Sequence, residues 1–511
     1  MKFLDKLFSR IVIFGILLIL QVFMLFFVVV KFSEVTNQIY GLFLIVSIIA
    51  VAYVNTRNIN PAYKLGWAIV IMAFPMFGIM LYFFVGNKKP ARKLIKKLNR
   101  SQVFTQRMLN QDTSIIEEII NDDPYGAGNI MYIENYGPYP IYKNTKTNFF
   151  KLGEEAFEDM LIEIKKAKKY IFIEYFIVHE GKMWNSILDI LEQKVKEGVD
   201  VRFIYDDIGS VTVLPAKYKR ILEKKGIKTI AFNPFVPFLS MVMNNRDHRK
   251  IMVIDGKVGY TGGINLSDEY INEIERFGHW KDNAIKLEGE AVWSFTMMFL
   301  EMWNGLRPTD NELEYEKFKP DYSFAKEYEN EGYVQPYSDS PLDNEILSEN
   351  IYINILNAAK DYVYIYTPYL IIDNEMTTAL ILAAKRGVDV RIVIPGIPDK
   401  KSAFELTKSF CPELIENGVK VYHYTPGFIH GKCFLSDDKV ATVGTANMDY
   451  RSLYLHFECG VYLYKTNSIK EIKKDMLQTF EVSTKRYNKK TKLPFLFRLY
   501  RSLLRLFAPL M

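Results

Sequence analysis

The sequence predicts an α/β fold built twice in one chain and set behind an apolar N-terminal segment. Strand-like and helix-like stretches alternate through most of the chain, which is the pattern of α/β units. A five-position string of His, Lys, Asp, Gly and Asn occurs twice at the same spacing, and most of the first 86 residues are apolar. Hydrophobic residues make up 49% of the 511 and charged residues 24%, which excludes a disordered or low-complexity chain. The net charge of +6 is too mild over this length to mark a nucleic-acid partner. Three cysteines (Cys411, Cys433 and Cys459) make no disulfide framework and fit free thiols in a reducing compartment.

Residues 1–86 read as a membrane anchor. Residues 11–30 form an apolar run broken only by Gly15 and Gln21, with Lys2, Lys6 and Arg10 before it. Twenty such residues suffice to cross a hydrocarbon core of ~30 Å. The run is too long for a signal-peptide core and lacks a small-residue cleavage site, so it is read as retained. Residues 39–54 and 65–85 are further runs, the last with Trp67 and Tyr82 near its ends and Pro75 inside it. Three transmembrane helices are therefore expected, the alternative being two, with the sixteen-residue second run a buried or re-entrant segment. Lys88, Lys89, Arg92, Lys93, Lys96, Lys97 and Arg100 follow the third run and place the remainder of the chain in the cytoplasm by the positive-inside rule.

Residues 87–142 read as a linker and entry segment. Within 143–330 the order is strand (170–178), helix (184–198, ending in Gly198) and strand (199–205). Within 331–488 the same order returns over 362–369, 377–387 and 388–394. A Gly-Val-Asp-Val-Arg string carries the helix into the second strand of each set, from Gly198 and from Gly387. The motif strings carry the duplication further. His248, Lys250, Asp255, Gly262 and Asn265 match His430, Lys432, Asp437, Gly444 and Asn447 position for position.

Residues two apart in an extended segment share a face, so His248 projects with Lys250, and His430 with Lys432. Asp255 and Asp437 lie seven positions beyond their histidines. In a continued strand they face away, which assigns them to structure more than to chemistry. A lysine ammonium beside an imidazole suits an anionic phosphorus centre. One imidazole can attack phosphorus and form a phosphohistidine, while the other protonates the leaving alcohol and then activates the incoming one. Asn265 and Asn447 can donate to phosphoryl oxygens. Asp282, 34 residues after His248, and Glu458, 28 after His430, are candidates to hold the second ring nitrogen of an imidazole. His179, His279, His423 and His456 read as polar core or cleft-rim groups, and Cys433 as a small core residue. No acidic pair, Walker loop or Cys/His cluster marks a metal or nucleotide site, so no cofactor is expected.

At these residues the sequence resembles the phospholipase D superfamily, and within it the bacterial cardiolipin synthases. The resemblance rests on the paired motifs, on Arg57-Asn58-Ile59-Asn60-Pro61-Ala62-Tyr63-Lys64, on Phe277-Gly278-His279-Trp280-Lys281-Asp282 and on Tyr424-Thr425-Pro426-Gly427-Phe428-Ile429-His430. It implies two α/β domains about a pseudo-twofold, one shared site and no metal. It also implies that a phosphatidyl group passes from one phosphatidylglycerol to another, giving cardiolipin and glycerol. Hydrolysis to phosphatidic acid by a membrane-bound phospholipase D is the alternative. By position, His248, Lys250, Asn265, His430, Lys432 and Asn447 line the site, Asp255 and Asp437 complete the motifs, and Asp282 and Glu458 match the supporting acids. Gly263 and Thr445 stand where the wider superfamily often has Ser. Either histidine can attack first, and His248 is favoured.

Residues 489–511 form an amphipathic tail. Arg498, Arg501 and Arg505 make a basic stripe beside Phe495, Leu496, Leu499, Leu503, Leu506 and Phe507. Such a helix sits on anionic lipid at a membrane surface, the alternative being a helix docked on the domain. The expected setting is the plasma membrane of a bacterium, with phosphatidylglycerol and cardiolipin as lipid partners and no nucleic acid. A homo-oligomer is compatible with the sequence.

Overall fold

In the computed structural model, the described residues are 19–20, 22–24, 26–27, 30–31, 40–86, 92–234, 244–307, 314–343, 345–486 and 494–510. The first copy contributes β1 (Thr145–Phe150), β2 (Tyr170–Tyr175), β3 (Asp200–Asp206), β4 (Lys228–Phe232), β5 (Arg246–Asp247), β6 (Ile251–Ile254), β7 (Val258–Gly262), β8 (His279–Lys281) and β9 (Ala284–Gly289). The second contributes β10 (Tyr333–Asp339), β11 (Tyr362–Tyr366), β12 (Leu370–Ile371), β13 (Asp389–Pro395), β14 (Lys420–Tyr424), β15 (Gly427–Ile429), β16 (Cys433–Ser436), β17 (Val440–Gly444), β18 (Met448–Asp449), β19 (His456–Tyr464) and β20 (Ser483–Lys485).

The two main sheets repeat one order. The first runs β1-β9-β7-β6-β2-β3-β4 and the second β10-β19-β17-β16-β11-β13-β14, extended by β20. The central strands β2 and β11 are buried along their whole length, as expected where helices cover both faces. The Gly-Val-Asp-Val-Arg string does the same work in each copy. Gly198 and Gly387 end the preceding helices at φ +88° and +95°, a region that favours glycine. Arg202 and Arg391 then each reach back 2.6 Å to Asp200 and Asp389. One apolar core runs from Phe172 and Val253 through Trp303 to Val363 and Val461, so the two sheets share it. A second cluster, with Ile171, Trp184 and Met252, fills the other face of the first sheet.

The N-terminal segment differs from the expectation of three spans. The first run, 11–30, lies largely outside the described residues. The second is α1 (Tyr40–Asn55), 16 residues long. The third is two helices, α2 (Pro61–Ala73) and α3 (Pro75–Val85), parted at Phe74. They fold back on each other: Trp67 meets Tyr82 edge-on with ring centroids 5.1 Å apart. A Cβ built on Gly78 would stand 2.5 Å from the Val70 carbonyl oxygen, so only glycine allows this approach. Pro75 lacks the N–H that a continuous helix needs, and the chain turns there. Among the described residues, no helix is long and apolar enough to cross a membrane.

After this hairpin comes α4 (Arg92–Gln106), which packs on α5 (Val292–Leu306) with Leu98 against Gly305. Near the C-terminus α6 (Lys401–Glu416) carries the tail helix α7 (Phe495–Leu506). Part of the arginine stripe reaches the protein: Arg501 bonds Glu405 at 2.7 Å and Arg505, itself exposed, stacks over Phe410, while Arg498 is exposed. Phe495, Leu496, Leu499, Leu503 and Phe507 are left exposed on the outside.

Candidate active site

Both motif histidines sit in short extended links just before a strand. His248 and Lys250 lie between β5 and β6, and His430 and Lys432 between β15 and β16. The shared face follows from extended geometry, although the links are not themselves strand. Lys432 Nζ lies 3.0 Å from His430 Nε2, and Lys250 Nζ donates to the His248 carbonyl at 2.5 Å.

The links are exchanged between copies. β5 pairs with β19 of the second copy, and β15 with β8 of the first. The His248 N–H donates to the Phe457 carbonyl, and the His430 N–H to that of Lys281. Each histidine is thereby fixed beside the acid of the opposite copy. His248 Nδ1 lies 2.9 Å from both oxygens of Glu458, and His430 Nδ1 lies 2.7 Å from Asp282 Oδ2. Linear spacing offers Asp282 with His248 and Glu458 with His430; the fold crosses them.

Burial governs the charges. Desolvation pushes the His248 ring well below the usual imidazole range and His430 to about 4, the neighbouring lysines adding to the effect. Burial alone would raise Asp282 and Glu458. The facing imidazoles (His430 for Asp282, His248 and His456 for Glu458), with Lys432 beside Asp282, instead hold both carboxyls below their ordinary values. The pairs are therefore neutral imidazole against ionised carboxylate. A carboxylate only accepts, so Nδ1 carries the proton and Nε2 keeps its lone pair. Desolvation also lowers Lys250 to about 8 and Lys432 to about 7.

The remaining motif residues fall outside this quartet. Asp255 and Asp437 lie just past the ends of β6 and β16, at φ +52° and +53°. Each carboxylate accepts three backbone N–H groups at 2.7–3.0 Å, from Lys168, Lys169 and Tyr170 or from Lys360, Asp361 and Tyr362. Asn265 accepts from the Ile177 N–H and donates to the Tyr270 hydroxyl, whose ring stands edge-on to His430. Asn447 donates to Asp449 at 3.1 Å. Thr445 donates its hydroxyl to Glu458 at 2.5 Å. At the matching position a Cβ on Gly263 would stand 2.0 Å from Asp282 Oδ1, so a side chain has no room there.

Among the other histidines, His456 lies nearer the chemistry than its sequence context suggests. Its ring centroid is 5.3 Å from that of His248, and its Nδ1 is 3.7 Å from Glu458 Oε1. The counterpart in the other half is Trp280, 5.4 Å from His430. Each stands two residues before its acid on a strand, and that i, i+2 spacing was the available signal. Among the described residues, His248, His456 and Glu458 form the one group whose ligand atoms lie close enough to hold a metal ion. His179 bonds Ser267 and His279 bonds Tyr424, while His423 lines a separate surface cavity. All three cysteines are buried free thiols, and Cys433 lies in the core.

The chain matches known proteins over most of its length. A family model described as cardiolipin synthase, PLD-like domain, matches residues 160–303 and 352–480, and a phospholipase D-nuclease N-terminal model matches 42–87. The chain is 35% identical to a cardiolipin synthase of Alkalihalophilus pseudofirmus, over 89% of this chain and 90% of that one. It is 34% identical to a cardiolipin synthase of a Geobacillus species, over 91% and 92%. An uncharacterized protein of Streptococcus mutans is 47% identical over 85% and 93%. Among solved structures, phosphatidylserine synthase of Haemophilus influenzae aligns with a TM-score of 0.54 at 14% identity, covering 75% of this chain and 98% of that one, a likeness of fold. The chain belongs to the cardiolipin synthase family of phospholipase D-like enzymes.

Proposed function

We propose that the chain transfers a phosphatidyl group from one phosphatidylglycerol to a second, giving cardiolipin and releasing glycerol. The observation that carries this reading is the pair of neutral imidazoles, each held through Nδ1 by a buried carboxylate and each beside a lysine. In the first step Nε2 of one histidine attacks phosphorus, and the P–O bond to glycerol breaks. The second histidine takes up a proton at Nε2 as the anionic phosphodiester binds beside it, delivers that proton to the leaving oxygen, and so returns to the neutral ring with a free Nε2. In the second step the same histidine takes the proton from a hydroxyl of the incoming phosphatidylglycerol. That oxygen displaces the phosphohistidine nitrogen and restores the free ring. We assign the attack to His248, whose Nδ1–H is shared by both oxygens of Glu458.

Lys250 and Lys432 neutralise the phosphoryl oxygens as charge shifts in the transition state. Asn265 and Asn447 have second amide hydrogens for the same oxygens. Asp255 and Asp437 anchor the strands and touch no reacting atom. The substrate is an anionic membrane lipid, and the enzyme acts at the bacterial plasma membrane with both copies in the cytoplasm. The buried free thiols and the exposed basic residues Lys96, Lys97 and Arg100 support that placement.

The test is purified protein in phosphatidylglycerol vesicles without added divalent metal, with products read by mass spectrometry. Cardiolipin and glycerol are expected. Phosphatidic acid as the sole lipid product would favour hydrolysis instead. His248→Ala and His430→Ala should each abolish turnover, and full activity in either would overturn the two-histidine scheme.

A further inference from the structure

We infer that α2 and α3 form a re-entrant hairpin dipping into one leaflet, so that both ends of the 61–85 segment lie on the face of the membrane occupied by the catalytic body. A run of 21 apolar residues would normally be read as a span, since one straight helix of that length covers about 31 Å. The fold halves it. α2 has 13 residues and α3 has 11, legs of about 20 Å and 17 Å. That reaches through about one leaflet of a ~30 Å core and no further.

Both feet of the hairpin stand on the body. At the start of α2, Asn60 donates to Asp373 and to the Tyr454 hydroxyl, both at 2.9 Å, and Tyr63 packs edge-on against Tyr450 and Tyr454. At the other end α3 closes at Gly86, and α4 begins six positions later on α5 of the body. The intervening chain cannot extend beyond about 20 Å. It could not return from the far side of a bilayer whose core is ~30 Å thick. The turn therefore points away from the body.

The surface chemistry fits lipid. Phe74 at the turn is 58% exposed, and Leu65, Met72 and Phe83 on the legs are exposed as well. Beside the α2 foot lies the tail: one cavity is lined by Ala62 and Leu65 on one side and by Arg505, Leu506 and Pro509 on the other. The apolar stripe of α7 thus continues the hairpin's apolar surface, and the exposed Lys96, Lys97 and Arg100 of α4 follow it. Apolar surface followed along the chain by exposed cations matches an anionic leaflet, with the charges at headgroup depth. The occupant is the acyl region of the leaflet nearest the body.

Single cysteines placed at Thr56, Phe74 and Arg100 in the full chain test this in right-side-out and inside-out membrane vesicles. The wild type sets the background, since its three thiols are buried. A membrane-impermeant maleimide should label Thr56→Cys and Arg100→Cys in the same vesicle orientation. It should label Phe74→Cys in neither, and a fluorophore at Phe74→Cys should be quenched by bromine-labelled acyl chains. Labelling of Thr56→Cys and Arg100→Cys in opposite orientations would establish a span and overturn the inference. So would aqueous labelling of Phe74→Cys from either side. The outcome does not depend on the transfer chemistry, because turnover on phosphatidylglycerol is measured separately.

Discussion

Asp282 and Glu458 do their work on the histidine of the other copy. Asp282→Asn leaves shape intact but offers His430 an amide that can donate, which permits the wrong tautomer. We expect turnover to fall on the order of 10³- to 10⁴-fold with folding preserved, as assayed by cardiolipin formation and circular dichroism. Under the assignment above, the lesion falls on proton transfer and leaves the nucleophile intact, so radiolabelled phosphatidyl enzyme should still form at His248, only more slowly. Loss of that label in Asp282→Asn, and its survival in Glu458→Gln, would reverse the roles of the two histidines. The lysines give a second expectation. Desolvation pulls Lys432 to about 7 and Lys250 to about 8, so their charge is lost as pH rises through that range. An anionic phosphate holds the ammonium forms in the bound state. kcat/KM should therefore decline above pH 7 while kcat declines at higher pH, as a pH profile on phosphatidylglycerol will show. The two motifs were legible residue by residue because chemistry demands fixed types at fixed spacing. The crossing of the acids was not, because spacing along the chain says nothing about which of two similar copies lies opposite.

Elements explain what the motifs' aspartates are for. Asp255 and Asp437 sit in left-handed turns just after β6 and β16, and each gathers three N–H groups at the start of the neighbouring central strand. Asp255→Ala strips acceptors from that strand start. It should cost about 2 kcal/mol, discounted for the exposed position, read as a lower midpoint of urea unfolding. Their distance from the reacting atoms follows from strand geometry that the seven-residue spacing already implied. The strands stop one residue short of each aspartate, so a turn rather than continued alternation directs the side chain. The hairpin of α2 and α3 was hidden for a related reason. Hydropathy averages a window and is blind to reversal within it; Pro75 and Gly78 were the local marks of the turn. The tail helix was legible as amphipathic, yet Arg501 and Arg505 reach Glu405 and Phe410 while Arg498 stays exposed. Partners on α6, far away in sequence, decide that.

At the scale of the whole molecule, the foot of the hairpin and the end of α7 line one cavity, and both elements carry exposed apolar side chains. A double substitution, Leu496→Ser with Leu499→Ser, removes two exposed leucines without touching the arginine contacts. Turnover on phosphatidylglycerol in vesicles should fall roughly tenfold, the scale of losing ~1.5 kcal/mol of apolar burial in lipid. Turnover on short-chain phosphatidylglycerol dispersed in detergent should be unchanged. Equal losses on both would assign α7 to stability of the body rather than to lipid contact. The duplication was readable from the repeated strings, whereas the order of strands within each sheet and the single core joining both sheets depend on packing that the strings do not specify.

The crossed acids also bear on time. His248 waits for Glu458, which lies 210 residues further along the chain. At about 5–20 residues per second of synthesis, the first half exists for roughly 10–40 s before its partner carboxylate is made. Throughout that interval the nascent chain carries a complete His-Lys pair with nothing to set its tautomer. A growing chain already resting on its lipid substrate is thus held inert until translation is nearly finished, and a truncated product is born without activity.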